Sequence, residues 1–455
     1  MTADPARFDA PDRATDRFLG DWLVDEDVPG ASVAIVDRDG VIGAAGYGAR
    51  DTDERLPATP ETVYGLGSVS KPVTALVVLR LADRGALALD EPVADYLPVL
   101  ADVPGEPVTV HDLLAHSSGL PRDFVTAREN VVDDETLFRH VDGAVGQRLT
   151  DRDRYMYYNS GYLLLGELVA AVTDRPFATV ARDTVLEPLG MDRSTFEPDE
   201  LTEVDDVATG YREDDGSRSP VSLEAVEEGG AAGGLLTSTV DLTALVRFIL
   251  NGGERDGERL LARDTFDAAT TRQSAPLPTA DGSTPGYGYG WEVDEFMGER
   301  LLEHRGSIYF SGGYVGVLPD RGLGVALALN ANAAGRSVVS TGRGVLALAA
   351  DESPTEQVRM LAVESKVDAV VGDYETRRGE ARATVERAPV GRIAVETDGL
   401  GVRFHARPAS EDPGDRTFVA RMGDGTKWLA EFRGTGAGAE LVLSTGKWTT
   451  RFERV

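Results

Sequence analysis

The chain has no cysteine, which excludes disulfides, thiolate metal sites and a cysteine nucleophile. Histidine is nearly as scarce. His111, His116, His140, His304 and His405 are the whole supply, too few and too scattered to suggest a multi-histidine metal site. No cofactor or metal is therefore expected. Positive charge is in deficit, with 46 Lys and Arg against 77 Asp and Glu and a net charge of −31. Such a surface repels nucleic acid and anionic membrane, so neither is an expected partner. No apolar run approaches the length of a membrane-spanning helix. The first residues, Met1 to Asp9, lack the apolar core of a signal peptide, which makes a cytoplasmic location the expectation.

Lysine is the most informative scarcity. There are four, Lys71, Lys366, Lys427 and Lys447, and every other basic residue is arginine. The acidic excess is spread along the chain. Together with the arginine bias, it matches the solvated surfaces of proteins from high-salt cytoplasm, the plainer alternative being an acidic, arginine-biased proteome. On the first reading stability should rise with salt, which screens self-repulsion. From Met1 to Ser365 the only lysine is Lys71. Arginine can supply positive charge almost anywhere, but it does not give up its proton. A position that keeps lysine where all others have become arginine points to a need for an amine of adjustable pKa.

That lysine sits in Gly67-Ser68-Val69-Ser70-Lys71-Pro72, ahead of the apolar run Val73 to Leu81. The run predicts a buried helix, with Pro72 in its first turn and Gly85 at its C-terminal cap. Residues three apart share a helix face, so Ser68 and Lys71 are presented together at the positive helix end. Ser-x-x-Lys by itself is a weak signal; its context lifts it.

With 455 residues the chain can hold two or more domains and a large core. Phe8 to Asp27 reads as an amphipathic helix. Ala31–Val36 and Val41–Tyr47 flank Asp37-Arg38-Asp39-Gly40 as a hairpin. Leu87 to about Glu213 reads as mostly helical, with Asn159 or Ser160 as the N-cap of a helix carrying Leu164, Leu165, Leu168, Val169 and Val172. Gly229 to Leu235 is a flexible glycine-rich strip without the ending of a phosphate loop. A helix over Thr239–Leu250 follows. Strands are expected over Tyr287–Val293 and Arg300–His304, with Gly313–Leu318 and Leu323–Leu329 as a hairpin. A last helix covers Ser337 to Ala349. Composition shifts near Asp351, and a short helical connector, Glu356 to Val363, leads to a β-rich tail. Seven short runs there, between Ala381 and Phe452, read as an antiparallel barrel or sandwich.

Taken in order, the motifs resemble the serine β-lactamase and penicillin-binding-protein family. Ser68-Val69-Ser70-Lys71 is similar to its Ser-x-x-Lys motif, and Tyr157-Tyr158-Asn159 to the Tyr-x-Asn of the class C branch. His304-Arg305-Gly306 stands where the family carries Lys-Thr-Gly and resembles the His-x-Gly of its esterases and peptidases. His116-Ser117-Ser118-Gly119-Leu120 and Ala232-Gly233-Gly234-Leu235 also resemble recurrent family segments. The likeness runs from about Asp27 to Ala350. The tail more loosely resembles a lipocalin-like domain appended to some members.

The expected fold is thus α/β, of the α+β kind. An antiparallel sheet flanked by helices, with a helical region at about 87–213, makes a hydrolase domain over 1–350. A linker over 351–365 and an all-β barrel over 366–455 follow. Ser68 is the candidate nucleophile, Lys71 its activator, and Tyr157 a phenol made a usable base beside that cation. The resemblance implies that Tyr157 also protonates the leaving group and activates the deacylating water. Asn159 would hold Lys71 and the substrate. The Ser307 N–H would complete an oxyanion hole, and Gly306 would let substrate approach the strand edge. His116 is read only as fixing a loop, and Ser117 and Ser118 as capping or turning.

A lysine at position 304 would offer a fixed charge to a substrate carboxylate, whereas a histidine is mostly neutral near pH 7. This favours cleavage of a small ester or peptide bond over the carboxylate-bearing β-lactams. The alternatives are a β-lactamase or D,D-peptidase, and a catalytically inactive penicillin-binding-like sensor or scaffold. The tail is expected either to assemble the chain into a homo-oligomer or to shape the entrance to the active site.

Overall fold

The computed structural model describes residues 9–121, 137, 141–143, 145–149, 154–214, 217–223, 229–274, 285–308, 310–331 and 338–455, apart from 390, 400, 411, 413, 424 and 435. The chain forms two compact units, Met1–Ala333 and Ala334–Val455. The helix Val338–Ala349 falls in the second. His140 lies outside the described residues.

The first unit is organised on an eight-stranded antiparallel sheet that joins distant parts of the chain. Its strand order is Gly286–Tyr287, Glu292–Phe296, Glu299–Ile308, Ser311–Leu318, Leu323–Leu329, Gly30–Asp37, Val41–Asp51 and Leu56–Pro57. Val33 lies opposite Leu327, so the early hairpin and the late hairpin share one ladder. The expected turns at Asp37–Gly40 and Pro319–Gly322 are both present, and a bulge follows Ile35. Gly30–Val36 and Ser311–Leu318 are buried throughout, because both faces of these central strands are covered. Helix Thr239–Leu250 supplies one cover, lying on Gly30–Asp37 and Leu323–Leu329. Its N-cap Ser238 accepts from the Asp241 N–H.

The helix carrying Lys71 spans Ser70–Asp83 and buries every residue from Ser70 to Leu79, then Leu81. Each of its buried Val and Leu side chains contributes about 1.5–3 kcal/mol relative to exposure. The helix ends where sequence places its stop: Gly85 has φ +72°, and the Gly85 and Ala86 N–H groups return to the Ala82 and Leu81 carbonyls.

Several boundaries differ from expectation. The first helix is Arg13–Asp25, because Asp12 caps it through the Thr15 N–H. The helix Asn159–Thr173 has Tyr158 as its N-cap, so Asn159 is its first residue and caps nothing. Among the described residues the region 87–213 is less helical than read, and at its end Gly210–Asp214 pairs with Ser217–Val221. Tyr287–Val293 is not one strand: Gly290, at φ +81°, breaks it in two. The connector helix Arg359–Val370 runs seven residues past its expected end. Among the described residues, no helix is long and apolar enough to cross a membrane.

The second unit contains a closed eight-stranded antiparallel barrel. Seven strands fall on the predicted runs; the eighth, Gly372–Glu375, closes the barrel by pairing Tyr374 with both Ala383 and Arg454. Alternate side chains point inward, including Tyr374, Ile393, Phe418, Ala430, Leu441 and Phe452, each at most 1% exposed. They pack into one apolar cluster that fills the barrel interior.

Candidate active site

Ser68 lies on a single 3₁₀ turn, Gly67–Val69, that runs straight into Ser70–Asp83. Two glycines let the sheet meet this turn. Gly67 has φ +55°, and a Cβ there would come within 3.0 Å of the Ser307 backbone. A Cβ on Gly306 would lie 1.7 Å from the Leu66 carbonyl oxygen and 2.8 Å from the Ser68 nitrogen. The close approach at Gly306 is thus made by the protein's own turn. The backbone nitrogens of Ser68 and Ser307 both border this contact.

Lys71 is fully buried, with Nζ 3.0 Å from Ser68 Oγ and donating to the Ala232 carbonyl at 2.8 Å. Burial drives its pKa well below the ordinary lysine value, because no water solvates the ammonium. Its other neighbours are aromatic: Nζ stands 4.9 Å from the centre of the Tyr157 ring and 5.5 Å from that of Tyr162. The glycine-rich strip read as flexible is here one helical turn, Gly230–Gly233, clamped on the lysine helix. Thr74 Oγ1 donates to the Ala231 carbonyl, and the Leu235 N–H donates to Ser70 Oγ.

Tyr157 arrives from irregular backbone just ahead of Asn159–Thr173. Asn159 does not hold Lys71; Ala232 does. The Asn159 Oδ1 is buried and has no hydrogen-bond partner among the described residues.

His304 is 1% exposed and its ring is fully engaged. Its Nδ1–H donates to the Arg305 carbonyl at 2.8 Å, and Nε2 accepts from the Tyr287 hydroxyl at 3.0 Å. Burial, and then the nearby Lys71, push its pKa down to about 3, so it carries no charge at neutral pH. Arg305, the next residue on the strand, is exposed, as alternation requires. The Ser307 side chain is exposed as well.

The structure therefore gathers Ser68, Lys71 and Tyr157 at one point, with Gly306 and the Ser307 backbone behind the serine turn and His304 beside Tyr157 at a ring separation of 6.5 Å. Sequence reasoning missed Tyr162, Tyr287 and the Ala232 carbonyl. A carbonyl has no side-chain signature. Tyr287 did carry one, in Gly286-Tyr287-Gly288-Tyr289-Gly290, where glycines let aromatic residues enter close-packed space.

A buried amine 3.0 Å from a serine hydroxyl at a helix start is an arrangement with the chemistry to activate a serine nucleophile. The chain belongs to the Beta-lactamase family, whose model matches residues 12–350; its members are serine hydrolases. The chain is 31% identical to penicillin-binding protein 4 of Amycolatopsis lactamdurans over 324 residues, covering 68% of this chain and 82% of that protein. It is similar to the solved structure of an octameric penicillin-binding protein homologue from Pyrococcus abyssi. That likeness has a TM-score of 0.83 and 28% identity, and covers 97% of this chain and 99% of the other. A class C β-lactamase from Rhodobacter sphaeroides shares the fold at TM-score 0.60 and 22% identity, over 73% of this chain and 98% of the other.

Proposed function

We propose that this chain is a hydrolase that cleaves small, electrically neutral esters or amides through an acyl-enzyme on Ser68. One observation carries the reading: Lys71 Nζ is fully buried, lies 3.0 Å from Ser68 Oγ, and has no ion pair among the described residues. An amine in that setting favours its neutral form, with a lone pair to accept the Ser68 proton. Ser68 Oγ then bonds to the substrate carbonyl carbon, and the N–H groups of Ser68 and Ser307 hold the oxyanion. The proton on Lys71 passes by way of the Tyr157 phenol to the leaving alcohol or amine as the carbonyl bond to it breaks. Water attacks the acyl-enzyme next, giving its proton back along the same path and releasing the acid and free Ser68.

Neutral substrates are favoured because the family's lysine position holds His304, which burial and then the nearby Lys71 keep uncharged, and whose Nε2 is already taken by the Tyr287 hydroxyl. The resemblance to a protein named as a penicillin-binding protein supports a second reading, a β-lactamase or D,D-peptidase. A fluorophosphonate probe should label wild type, fail on Ser68→Ala and label Lys71→Ala at least ~100-fold more slowly. A neutral nitrophenyl ester should turn over faster than a chromogenic cephalosporin; the reverse order would install the second reading. Folded wild type that takes no label would instead support the binding protein.

A further inference from the structure

Tyr157 lies in the irregular backbone between Arg154 and Tyr158, where neither helix nor strand fixes it. Its two chain neighbours are both tied to one residue. The Met156 N–H donates to the His116 carbonyl at 2.7 Å, and the Tyr158 N–H donates to His116 Nδ1 at 3.1 Å. His116 is itself held rigidly. It follows the short helix Val110–Leu114, whose Thr109 and Asp112 form a capping box, and the Ser117 N–H returns to the Asp112 carbonyl. Its φ of +55° turns the ring inward, where it is 1% exposed. The Tyr157 ring lies 4.4 Å away, with those of Tyr287, Tyr162 and Tyr155 at 4.6, 5.0 and 6.0 Å.

We propose that His116 is the positioning residue for Tyr157, holding the phenol beside Lys71 by gripping the backbone on both sides of it. The proposal rests on the proton-transfer role given to Tyr157 above. The grip needs a short side chain with an acceptor, because the group it holds is a backbone N–H. Accepting at Nδ1 places the imidazole proton on Nε2, which has no hydrogen-bond partner among the described residues and sits among the tyrosine rings. Burial, then the neighbouring bases Lys71 and His304, disfavour a second proton, so the acceptor survives at working pH. A lysine or arginine could not accept, and a β-branched residue would resist the left-handed backbone.

Asparagine and glutamine separate this role from mere packing. In asparagine the carbonyl oxygen sits near the Nδ1 position and the left-handed backbone is tolerated; in glutamine the acceptor is displaced by one bond. On a neutral nitrophenyl ester, His116→Gln should lower kcat about 50-fold with KM within about threefold, while His116→Asn should stay within about tenfold of wild type. The decisive measurement is a double-mutant cycle with Tyr157→Phe, read as the rate of fluorophosphonate labelling at Ser68. If His116 acts through Tyr157, the His116→Gln loss should shrink to less than about threefold in the Tyr157→Phe background. Losses that multiply overturn the proposal and leave the hydrolase reading standing. Should the glutamine variant fail to fold, asparagine decides: a loss much beyond tenfold overturns the grip. Wild type that shows no Ser68-dependent labelling overturns the hydrolase reading itself, and this proposal with it.

Discussion

Lys71 and His304 are both buried bases, and their pKa values fall for the same first reason, the cost of charging a group that water cannot reach. Their consequences for activity differ. The groups facing Lys71 are the Ser68 hydroxyl, the Ala232 carbonyl and the rings of Tyr157 and Tyr162, with His116 and His304 beyond. On the mechanism proposed above, as pH falls through the lowered lysine pKa the amine gains a proton, Ser68 loses its acceptor and the rate falls. His304, titrating at about 3, contributes no step near its ordinary 6.5. Any inflection in a profile of kcat/KM from about pH 4 to 9 should therefore persist in His304→Gln. A step there that disappears in His304→Gln would contradict this account. At this scale the sequence was legible wherever chemistry limits residue choice. Lys71 stood out because arginine cannot replace a neutral amine. That Ala232 rather than Asn159 holds Lys71 was illegible, because it depended on where a distant backbone carbonyl would fall.

The elements meet through glycines. The strand Glu299–Ile308 reaches the serine turn because Gly306 has no Cβ to strike the Leu66 carbonyl. Gly306→Ala should cost about 3 kcal/mol, since backbone stands on both sides and neither can rotate away. It should also slow labelling of Ser68, read alongside the denaturant midpoint. Gly20→Ala is the control: it lies within the helix Arg13–Asp25 with nothing within 4 Å of its Cβ position, and should be neutral or stabilising. A Gly306→Ala midpoint equal to wild type would contradict the close contact. Elements with strong periodicity or punctuation were legible: the helices ending at Gly85 and Leu250, and both sheet hairpins. The turn Gly230–Gly233 was not, because glycine composition signals freedom and only the lysine helix packed against it removes that freedom. The closing strand Gly372–Glu375 is short and glycine-led, so its pairing on both edges had no local signature.

Across the whole molecule, acidic residues exceed basic ones by 31. Exposed pairs such as Arg321 with Glu299 contribute about 0–1 kcal/mol each and weaken with salt. The unmatched carboxylates repel at longer range, and salt relieves that too. Because the excess is larger than any set of pairs can neutralise, the melting temperature should rise between low and molar salt. A flat or falling series would show that the surface pairs dominate instead. The sequence by itself determined the likeness to a family of serine hydrolases, the spacing of Ser68 and Lys71, the sheet hairpins and most of the barrel strands. These are written in residue types and short spacings, which chemistry and local geometry constrain directly. Tertiary structure alone decided that Ala232 holds the lysine, that Tyr287 locks His304, that His116 grips the backbone around Tyr157, and that Gly306 faces the protein's own turn. Each of these joins groups far apart in the chain through backbone atoms or burial, and neither has a residue type of its own to read.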